Sequence, residues 1–424
     1  MLVMGGIVGA GIFANPSEVA HRVHTPFLIL GVWMLGGFIA MCGAFIWAEL
    51  ATRLPGTGGQ YLYLREAYHP SVAFAYGWGL LLVTQTGGMA AVAVIFASYF
   101  RGLTGLGWSD GALAATVLLS LTAINCLGAR VGSNVQSVLM LLKIVALAAL
   151  VVLGLAFGGG SLKSGPLLGE PVSFGLLKGI GGAMVPIAFA YGGWQTASFV
   201  AGEMRDARRD LSRGLLMGVA GVIALYLAVN IACLRVLGPA DLAATATPAS
   251  DMMRAVLGER GAQWIAVAIA ISTLGFLSQS MLTGPRVYYA MARDRLFFES
   301  VGKLSRRSRA PVVAIVLQGI AAIVIACSGT YGEILNFAVT VDFIFFGMTA
   351  ASLFILRRRQ IGSDSAIYHV PGHPFTTILF VLSCAGIVGS AIVASPVNSA
   401  IALCIMLAAL PVYYCWSRFK RTHS

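Results

Sequence analysis

Two apolar stretches of this chain are interrupted by glycine, and they decide the fold. Residues 5–13 read Gly-Gly-Ile-Val-Gly-Ala-Gly-Ile-Phe, and residues 189–194 read Phe-Ala-Tyr-Gly-Gly-Trp. A glycine within a helix costs about 1 kcal/mol relative to alanine, so clusters of glycine favour a break. At membrane depth, a broken helix is tolerated only where its backbone lines a cavity or is buried in protein. Broken helices at corresponding positions of two halves indicate the binding site of a transporter.

The composition indicates an integral membrane protein. Hydrophobic residues make up 58% of the 424 residues and charged residues 10%, and the mean hydropathy is +0.85. A soluble domain carries about 25% charged residues. We expect twelve spans, most of which reach the roughly 20 residues that a bilayer requires. Their predicted ranges are 1–20, 27–50, 73–99, 111–127, 134–157, 175–203, 214–237, 262–289, 312–328, 334–356, 375–394 and 398–416.

The net charge of +12 is distributed in a way that predicts topology. Of the 28 Lys and Arg residues, 20 lie in or beside the loops after even-numbered spans and in the C-terminal tail, seven lie in or beside the opposite loops, and Lys143 alone lies near the middle of a span. Because positively charged loops stay in the cytoplasm, we predict a multi-pass protein of the cell (plasma or inner) membrane with both termini cytoplasmic. The basic residues are interpreted as contacts with anionic membrane lipid, and no nucleic-acid partner is expected.

The residue types that membrane-embedded catalysis would need are not concentrated at depth. All six histidines lie in predicted loops or tails, and the seven cysteines contain no Cys-x-x-Cys pair. We therefore predict no enzyme, no catalytic residue, no cofactor and no metal site. The cysteines are interpreted as small buried apolar residues.

The N-terminus begins inside an apolar stretch. The apolar stretch lacks the basic region that begins a signal peptide, and no cleavage site follows it. We expect the natural chain to start upstream, and a naturally short half-helix is the alternative.

The positions of the two breaks predict an internal repeat, because each falls in the first of five spans. Packing between small residues would explain glycines such as Gly5 and Gly9, but not their matching positions. We predict an all-α membrane protein with a five-helix repeat at 1–157 and a second, inverted five-helix repeat at 175–356. An external loop at 158–174, a cytoplasmic loop at 357–374 and helices 11 and 12 with a tail at 375–424 complete the chain.

Further motifs follow in order along the chain. They are Ala-Glu-Leu at 48–50, Pro-Gly-Thr-Gly-Gly-Gln-Tyr at 55–61, Gly-Pro-Arg-Val-Tyr-Tyr-Ala-Met-Ala at 284–292 and Val-Pro-Gly-His-Pro at 370–374. With the two breaks, they resemble the amino acid–polyamine–organocation (APC) superfamily of permeases over nearly the whole length, especially L-type amino acid transporters and their bacterial relatives. The resemblance implies a LeuT-like fold. It also implies a cytoplasmic surface helix within 59–69 and an external helical segment within 242–257.

A free amino acid presents one carboxylate and one ammonium. Helix N-termini offer N–H donors to an anion, and unwound carbonyls suit an ammonium. On the resemblance, the carboxylate would bind the backbone N–H groups of Ala10, Gly11 and Ile12. The ammonium would bind the backbone carbonyls of Ile7, Phe189, Ala190 and Gly192.

The resemblance also implies roles for side chains. Phe189 matches the aromatic that gates the substrate, although packing or a lipid-facing position is the alternative. Gln195, which follows the second break, is a candidate for the side-chain pocket. So are Gln85, Thr86 and Thr273, because they are polar residues at mid-span depth, and helix–helix hydrogen bonding is the alternative for these three. Because Gln195 is a neutral amide where some relatives place an acid, we favour neutral substrates.

Two intramembrane charges need separate explanations. Lys143 lies near the middle of span five, where an ionisable residue is costly and by default functional. In the family, a lysine at the matching place reaches the first span and substitutes for a sodium ion; a structural ion pair is the alternative. For Asp342, pairing, a proton relay and a lumen-facing position stay open. Glu49 beside Arg53 is interpreted as an interfacial ion pair.

The predicted function is therefore secondary active transport of neutral L-amino acids by sodium-independent alternating access. Exchange is favoured, and proton-coupled uptake is the second possibility. A cationic amino acid or polyamine exchanger and a non-transporting membrane sensor are the alternatives. An accessory subunit is not expected, and the protein is predicted to be a monomer or a weak homodimer.

Overall fold

The structure is a computed structural model of the chain. It describes residues 2–157, 168, 173–204, 206–328, 331–362 and 368–421. Within these ranges it gives the backbone alone for residues 129–131, 133, 331–336 and 418–421. Most of the predicted external loop and part of the predicted loop 357–374 lie outside the described residues.

The regular elements in the described part of the chain are all helical. The α-helices are α1 (Leu2–Ile7), α2 (Gly11–Arg22), α3 (Pro26–Arg53), α4 (Gln60–Ala67), α5 (Pro70–Gly79), α6 (Gln85–Thr104), α7 (Asp110–Cys126), α8 (Ala129–Phe157), α9 (Phe174–Tyr191), α10 (Ala207–Val236), α11 (Gly238–Ala244), α12 (Pro248–Thr283), α13 (Pro285–Arg293), α14 (Val312–Ser328), α15 (Tyr331–Arg358), α16 (Phe375–Ala394), α17 (Pro396–Leu407) and α18 (Ala409–Arg421). A π-helical turn at Leu80–Thr84 joins α5 to α6, and 3₁₀ helices occupy Trp194–Glu203 and Glu299–Gly302.

The all-α membrane architecture predicted from hydropathy is confirmed. Among the described residues, nine helical stretches are long and apolar enough to cross a membrane, and α7 and α14 are apolar helices of 17 residues each. The first predicted span contains two shorter helices, α1 and α2. Each of the other predicted spans also coincides with helix.

Helices α10 and α12 begin at least seven residues before their predicted apolar ranges. The N-terminus of α10 is capped by Asp206, whose Oδ1 accepts a hydrogen bond from Arg209 N at 3.2 Å. Helix α12 bends at Gly258, where φ is 69°, a left-handed conformation that glycine adopts without steric cost. Caps and bends of this kind depend on polar residues and glycine, so a hydropathy profile does not detect them.

The two predicted surface segments are helical. The stretch 59–69 contains α4, and the stretch 242–257 contains the end of α11 and the start of α12. Helix α11 packs against α2, and its Leu242 is fully buried. This contact covers the end of the first broken segment.

Aromatic contacts hold α3 against both sides of the second break. Trp33 meets Tyr191 and Tyr226 edge-on, with ring centroids 5.7 and 5.8 Å apart. Farther along α3, Trp47 meets Trp194 with centroids 4.8 Å apart. Edge-on aromatic pairs contribute about 0.5–1.5 kcal/mol beyond the area they bury. The chain on both sides of residues 192–193 is therefore anchored, although the helix itself is interrupted.

A charged cluster joins three segments that are distant in sequence. The carboxylate of the fully buried Glu49 in α3 accepts hydrogen bonds from Arg53 Nε (2.8 Å), Arg357 Nε and Nη2 (2.9 and 2.6 Å) and Val370 N (2.8 Å). A buried carboxylate is stable only when such partners compensate its lost hydration. This Glu49 cluster links α3 to α15 and to the segment before α16, and it is more extensive than the predicted pair with Arg53.

Candidate functional site

The first break separates α1 from α2 over three non-helical residues. The last hydrogen bond of α1 runs from Val8 N to Met4 O at 2.8 Å. The carbonyl of Ala10 then accepts from Phe13 N and Ala14 N at 3.1 and 3.3 Å, which begins α2. The first N–H groups of a helix have no intrahelical acceptor. The N-terminus of α2 therefore directs backbone donors into the interior of the bundle.

The second break lies between α9 and the 3₁₀ helix. Gly192 is extended (φ −65°, ψ 166°), and Gly193 is left-handed (φ 98°, ψ −13°). Such a conformation strongly favours glycine. The amide oxygen of Gln195 accepts from Gly193 N at 3.0 Å, and the hydroxyl of Thr196 donates to Gly193 O at 2.7 Å. The turn is thus held by side chains that directly follow it.

The two breaks touch each other. A Cβ atom on Gly6 would lie 2.5 Å from the carbonyl oxygen of Gly193. The hydroxyl of Tyr226, in α10, lies 3.1 Å from Ile7 O and 3.2 Å from Ala190 O. Tyr226 therefore bridges one carbonyl from each break, and it is fully buried.

A cavity of about 70 Å³ opens where the two breaks meet. The first break contributes Gly6, Ile7, Gly9, Ala10 and Gly11 to its wall, and the second contributes Ala188, Phe189, Ala190, Gly192 and Gly193. Further wall residues come from the π-helical turn and from α6, α12 and α15. Backbone donors and acceptors thus share a small cavity that is otherwise mostly apolar.

Lys143 reaches the first break from α8. Its side chain is fully buried, and Nζ donates to the carbonyl of Val8 and lies 3.5 Å from that of Gly5. On its other side, Lys143 Cε would lie 3.0 Å from a Cβ on Gly275 of α12. The ammonium therefore occupies the space between the first broken segment and α12, where it binds carbonyls that α1 leaves unused.

The structure brings most of the predicted substrate-binding residues to the cavity. Gln85 and Gln195 line it, and half-buried Phe189 does so as well. Ile12 and Thr273 are not among its wall residues. The hydroxyl of Thr273 donates to Ile269 O and Ala270 O, at 3.0 and 2.8 Å, so its hydrogen bonds lie within its own helix, α12.

Two features of the site could not be predicted from the sequence. Tyr226 is one aromatic among many apolar residues of its span, and no local pattern distinguishes it. The π-helical turn brings Leu80 and Thr84 to the cavity, and the hydroxyl of Thr86 in α6 donates to Leu81 O of that turn at 2.6 Å. Turns of this type are frequent at functional sites but have no reliable sequence signature.

Comparison with known proteins identifies the family of this chain. The family model described as amino acid permease matches residues 1–410. The serine/threonine exchanger SteT of Bacillus subtilis is 30% identical, over 97% of this chain and 94% of that protein. The b(0,+)-type amino acid transporter 1 of Mus musculus is 29% identical over 84% of this chain and 74% of its own length. The large neutral amino acids transporter small subunit 2 of Homo sapiens is 27% identical over 97% and 78%, respectively. The chain therefore belongs to the amino acid permease family, a group of membrane transporters.

Proposed function

We propose that this protein exchanges neutral L-amino acids across the membrane by sodium-independent alternating access. The observation that carries the proposal is the cavity between the two breaks, where helix-terminal N–H groups and unwound carbonyls lie together. Such a site matches the two charges that every free amino acid carries. Recognition of the backbone then leaves selectivity to the rest of the wall.

In this proposal the carboxylate binds the N–H groups of Ala10, Gly11 and Ile12 at the start of α2. The dipole of α2 and its unused donors favour an anion there. Ile12 contributes only its backbone N–H, because its side chain is buried away from the cavity.

The ammonium binds carbonyls of Ile7, Phe189, Ala190 and Gly192. Those of Ile7 and Ala190 already accept from Tyr226, at 3.1 and 3.2 Å. A carbonyl oxygen has two lone pairs, so each retains capacity for a second donor. We propose that Tyr226 holds these acceptors in position for the substrate and that Phe189 closes over it.

Sodium independence rests on Lys143. An ammonium bound to the carbonyls of Gly5 and Val8 supplies the positive charge that a metal ion would otherwise bring. Lys143 contacts both the first break, in span 1, and α12 at Gly275, in span 8. It therefore links span 1, which we propose to move during transport, to span 8, which we propose to stay in place.

A neutral substrate is favoured by Gln195. Its side chain lines the cavity and accepts from Gly193 N, so an uncharged amide occupies the end of the second break. The name of SteT mentions serine and threonine, and the name of the human relative mentions large neutral amino acids. Both names agree in kind with a neutral substrate.

The proposed architecture has twelve transmembrane segments, with inverted repeats at 1–157 and 175–356 and two additional helices at 375–424. Both termini are proposed to lie in the cytoplasm, since 20 of the 28 basic residues would then face that side. Spans 1, 2, 6 and 7 move against spans 3, 4, 8 and 9. We propose a monomer or weak homodimer that works without an accessory subunit.

Uptake of labelled amino acids into proteoliposomes tests the proposal. Internal amino acid, sodium and the pH gradient are varied independently. We expect uptake that requires internal amino acid and is unchanged when sodium is replaced by choline. A sodium requirement would contradict the proposed role of Lys143. Uptake driven by a pH gradient alone would favour proton symport over exchange. A preference for arginine or putrescine would contradict the proposed role of Gln195.

The variant Lys143→Ala examines the proposed cation role directly. We expect at least a tenfold loss of exchange, because the carbonyls of Gly5 and Val8 lose their cationic donor. Lys178→Ala, which removes an exposed lysine of α9, is the matched control. Unchanged exchange by Lys143→Ala would refute the role.

A further inference from the structure

Asp342 is the intramembrane charge that the proposed transport cycle does not use. It lies in α15, half-buried, and lines the same cavity as the two breaks. Among the described residues of the cavity wall, it has the only ionisable side chain. A charged group at this depth is costly unless it meets a partner, and such residues mark ligand pathways.

The neighbours of Asp342 form one polar side of the cavity. Thr84 lines the cavity together with Asp342, and its buried hydroxyl has no hydrogen-bond partner in the described part of the chain. Gln85 follows Thr84 directly in the chain and also lines the cavity. Both residues belong to the junction between the π-helical turn and α6, which directs them to the wall. Gln85 Nε2 makes one long contact, 3.5 Å to Ser280 O, and an amide nitrogen carries two hydrogens.

Most of the other side chains that line the cavity are apolar. They include Val339, Phe343 and Phe346 of α15, Val92 of α6 and Phe276 of α12. In such surroundings, an unsatisfied acceptor is costly and a substrate that satisfies it gains selectivity. In the proposed function, the ammonium and carboxylate of the substrate bind at the two breaks, which leaves the substrate side chain as the donor for Asp342.

We propose that Asp342, with Thr84 and Gln85, forms a subsite that selects amino acids carrying a short side-chain hydroxyl. The hydroxyl donates to the carboxylate of Asp342 and accepts from the amide of Gln85 or the hydroxyl of Thr84. The mostly apolar wall around this subsite favours an uncharged substrate side chain over a cationic one. This inference rests on the proposed exchange of neutral amino acids and names the substrates of that same site.

Isosteric substrate pairs test the subsite. Threonine and valine differ by a hydroxyl in place of a methyl group, and serine and alanine differ by the hydroxyl alone. We expect the wild-type protein to favour threonine over valine, and serine over alanine, by about tenfold or more in competition against labelled alanine exchange. The ratio should fall to about one in Asp342→Val and to an intermediate value in Asp342→Asn.

The matched control is Asp241→Asn, which neutralises an exposed carboxylate of α11 and should keep the wild-type ratio. Thr84→Val provides a second variant of the subsite, with a smaller expected loss of selectivity, should Asp342→Val not fold. Ligand-induced shifts of thermal stability in detergent give the same ratios without transport.

The outcomes separate the two proposals. If wild-type protein exchanges alanine but shows no preference within either pair, or if Asp342→Val or Thr84→Val keeps that preference, the subsite is wrong and exchange stands. A wild-type preference for lysine or ornithine over threonine also overturns the hydroxyl subsite, because Asp342 would then receive an ammonium. Absence of exchange with every amino acid tested overturns the proposed function itself.

Discussion

The Glu49 cluster and the two helix breaks both place polar groups inside an apolar bundle, but they satisfy them differently. At the cluster, both oxygens of one carboxylate are bonded to two arginines and a backbone N–H from separate segments. At the breaks, neutral backbone groups receive a few partners, from Tyr226, Gln195 and Lys143. A fully paired network fixes helices, whereas a partly paired one leaves capacity for a ligand.

The difference explains why contact between the two breaks depends on glycine, whereas the Glu49 cluster depends on charged side chains. Gly6 and Gly193 approach so closely that a side chain on either would meet the backbone of its neighbour. The Glu49 cluster uses long side chains that reach across the space between helices. Strength at the cluster comes from charge, and access at the breaks comes from the absence of side chains.

The largest effect is expected when the cluster loses its charge. Glu49→Gln leaves Arg53 and Arg357 without their common carboxylate, which should cost about 3–5 kcal/mol of unfolding free energy. We expect poor expression and a strongly lowered thermal midpoint in detergent. Glu18→Gln, at a carboxylate that is 60% exposed, is the control. Equal stability of the two variants would show that the cluster does not hold the bundle.

The next effect should be functional before it is structural. Gly193→Ala forces a side chain into a left-handed conformation that costs about 1–2 kcal/mol, and its Cβ would collide with Gly6 O. We expect a folded protein whose exchange is lost almost completely. Gly386→Ala, where a Cβ meets nothing within 4 Å, should retain exchange. Normal exchange by Gly193→Ala would mean that contact between the breaks is not required.

A smaller effect is expected from Tyr226→Phe, which keeps the ring and removes the bridge between Ile7 O and Ala190 O. Loss of this hydrogen bond should cost about 1 kcal/mol of stability and weaken substrate binding severalfold. Exchange kinetics and thermal midpoints measure both quantities. Tyr414→Phe, at a tyrosine that is 55% exposed, controls for loss of a hydroxyl. If the two variants behave alike, Tyr226 does not position the carbonyls.

The smallest effect concerns pH at the rim of the Glu49 cluster. Desolvation and the nearby charge of Arg357 lower the pKa of His373 below its ordinary 6.5. A histidine with a lowered pKa in the folded state destabilises the protein as pH falls through 6.5. His373→Gln should therefore reduce the loss of thermal stability between pH 7.5 and 5.5. An unchanged pH profile would exclude His373 from the cluster's pH response.

Much of the candidate site could be predicted because its signals are local. Glycine clusters mark helix breaks, and a lysine in the middle of an apolar segment requires a nearby acceptor. The carbonyls that Lys143 contacts belong to Gly5 and Val8, in the first span, which the family resemblance implied that this lysine would reach. The contacts of Tyr226 with Ile7, and of Glu49 with Arg357 and Val370, could not be predicted from the sequence. Their partners lie far apart along the chain.

Hydropathy and glycine act over one or two turns of chain, so the sequence predicted a helical, membrane-embedded chain with breaks within residues 5–13 and 189–194. The polar groups that meet were known only once the helices were packed together. The tertiary structure brings Asp342 to the cavity, turns Thr273 toward its own helix and buries Glu49 between two arginines. An apolar environment makes an unpaired polar group costly, and the packing of the helices determines which partner each polar group meets.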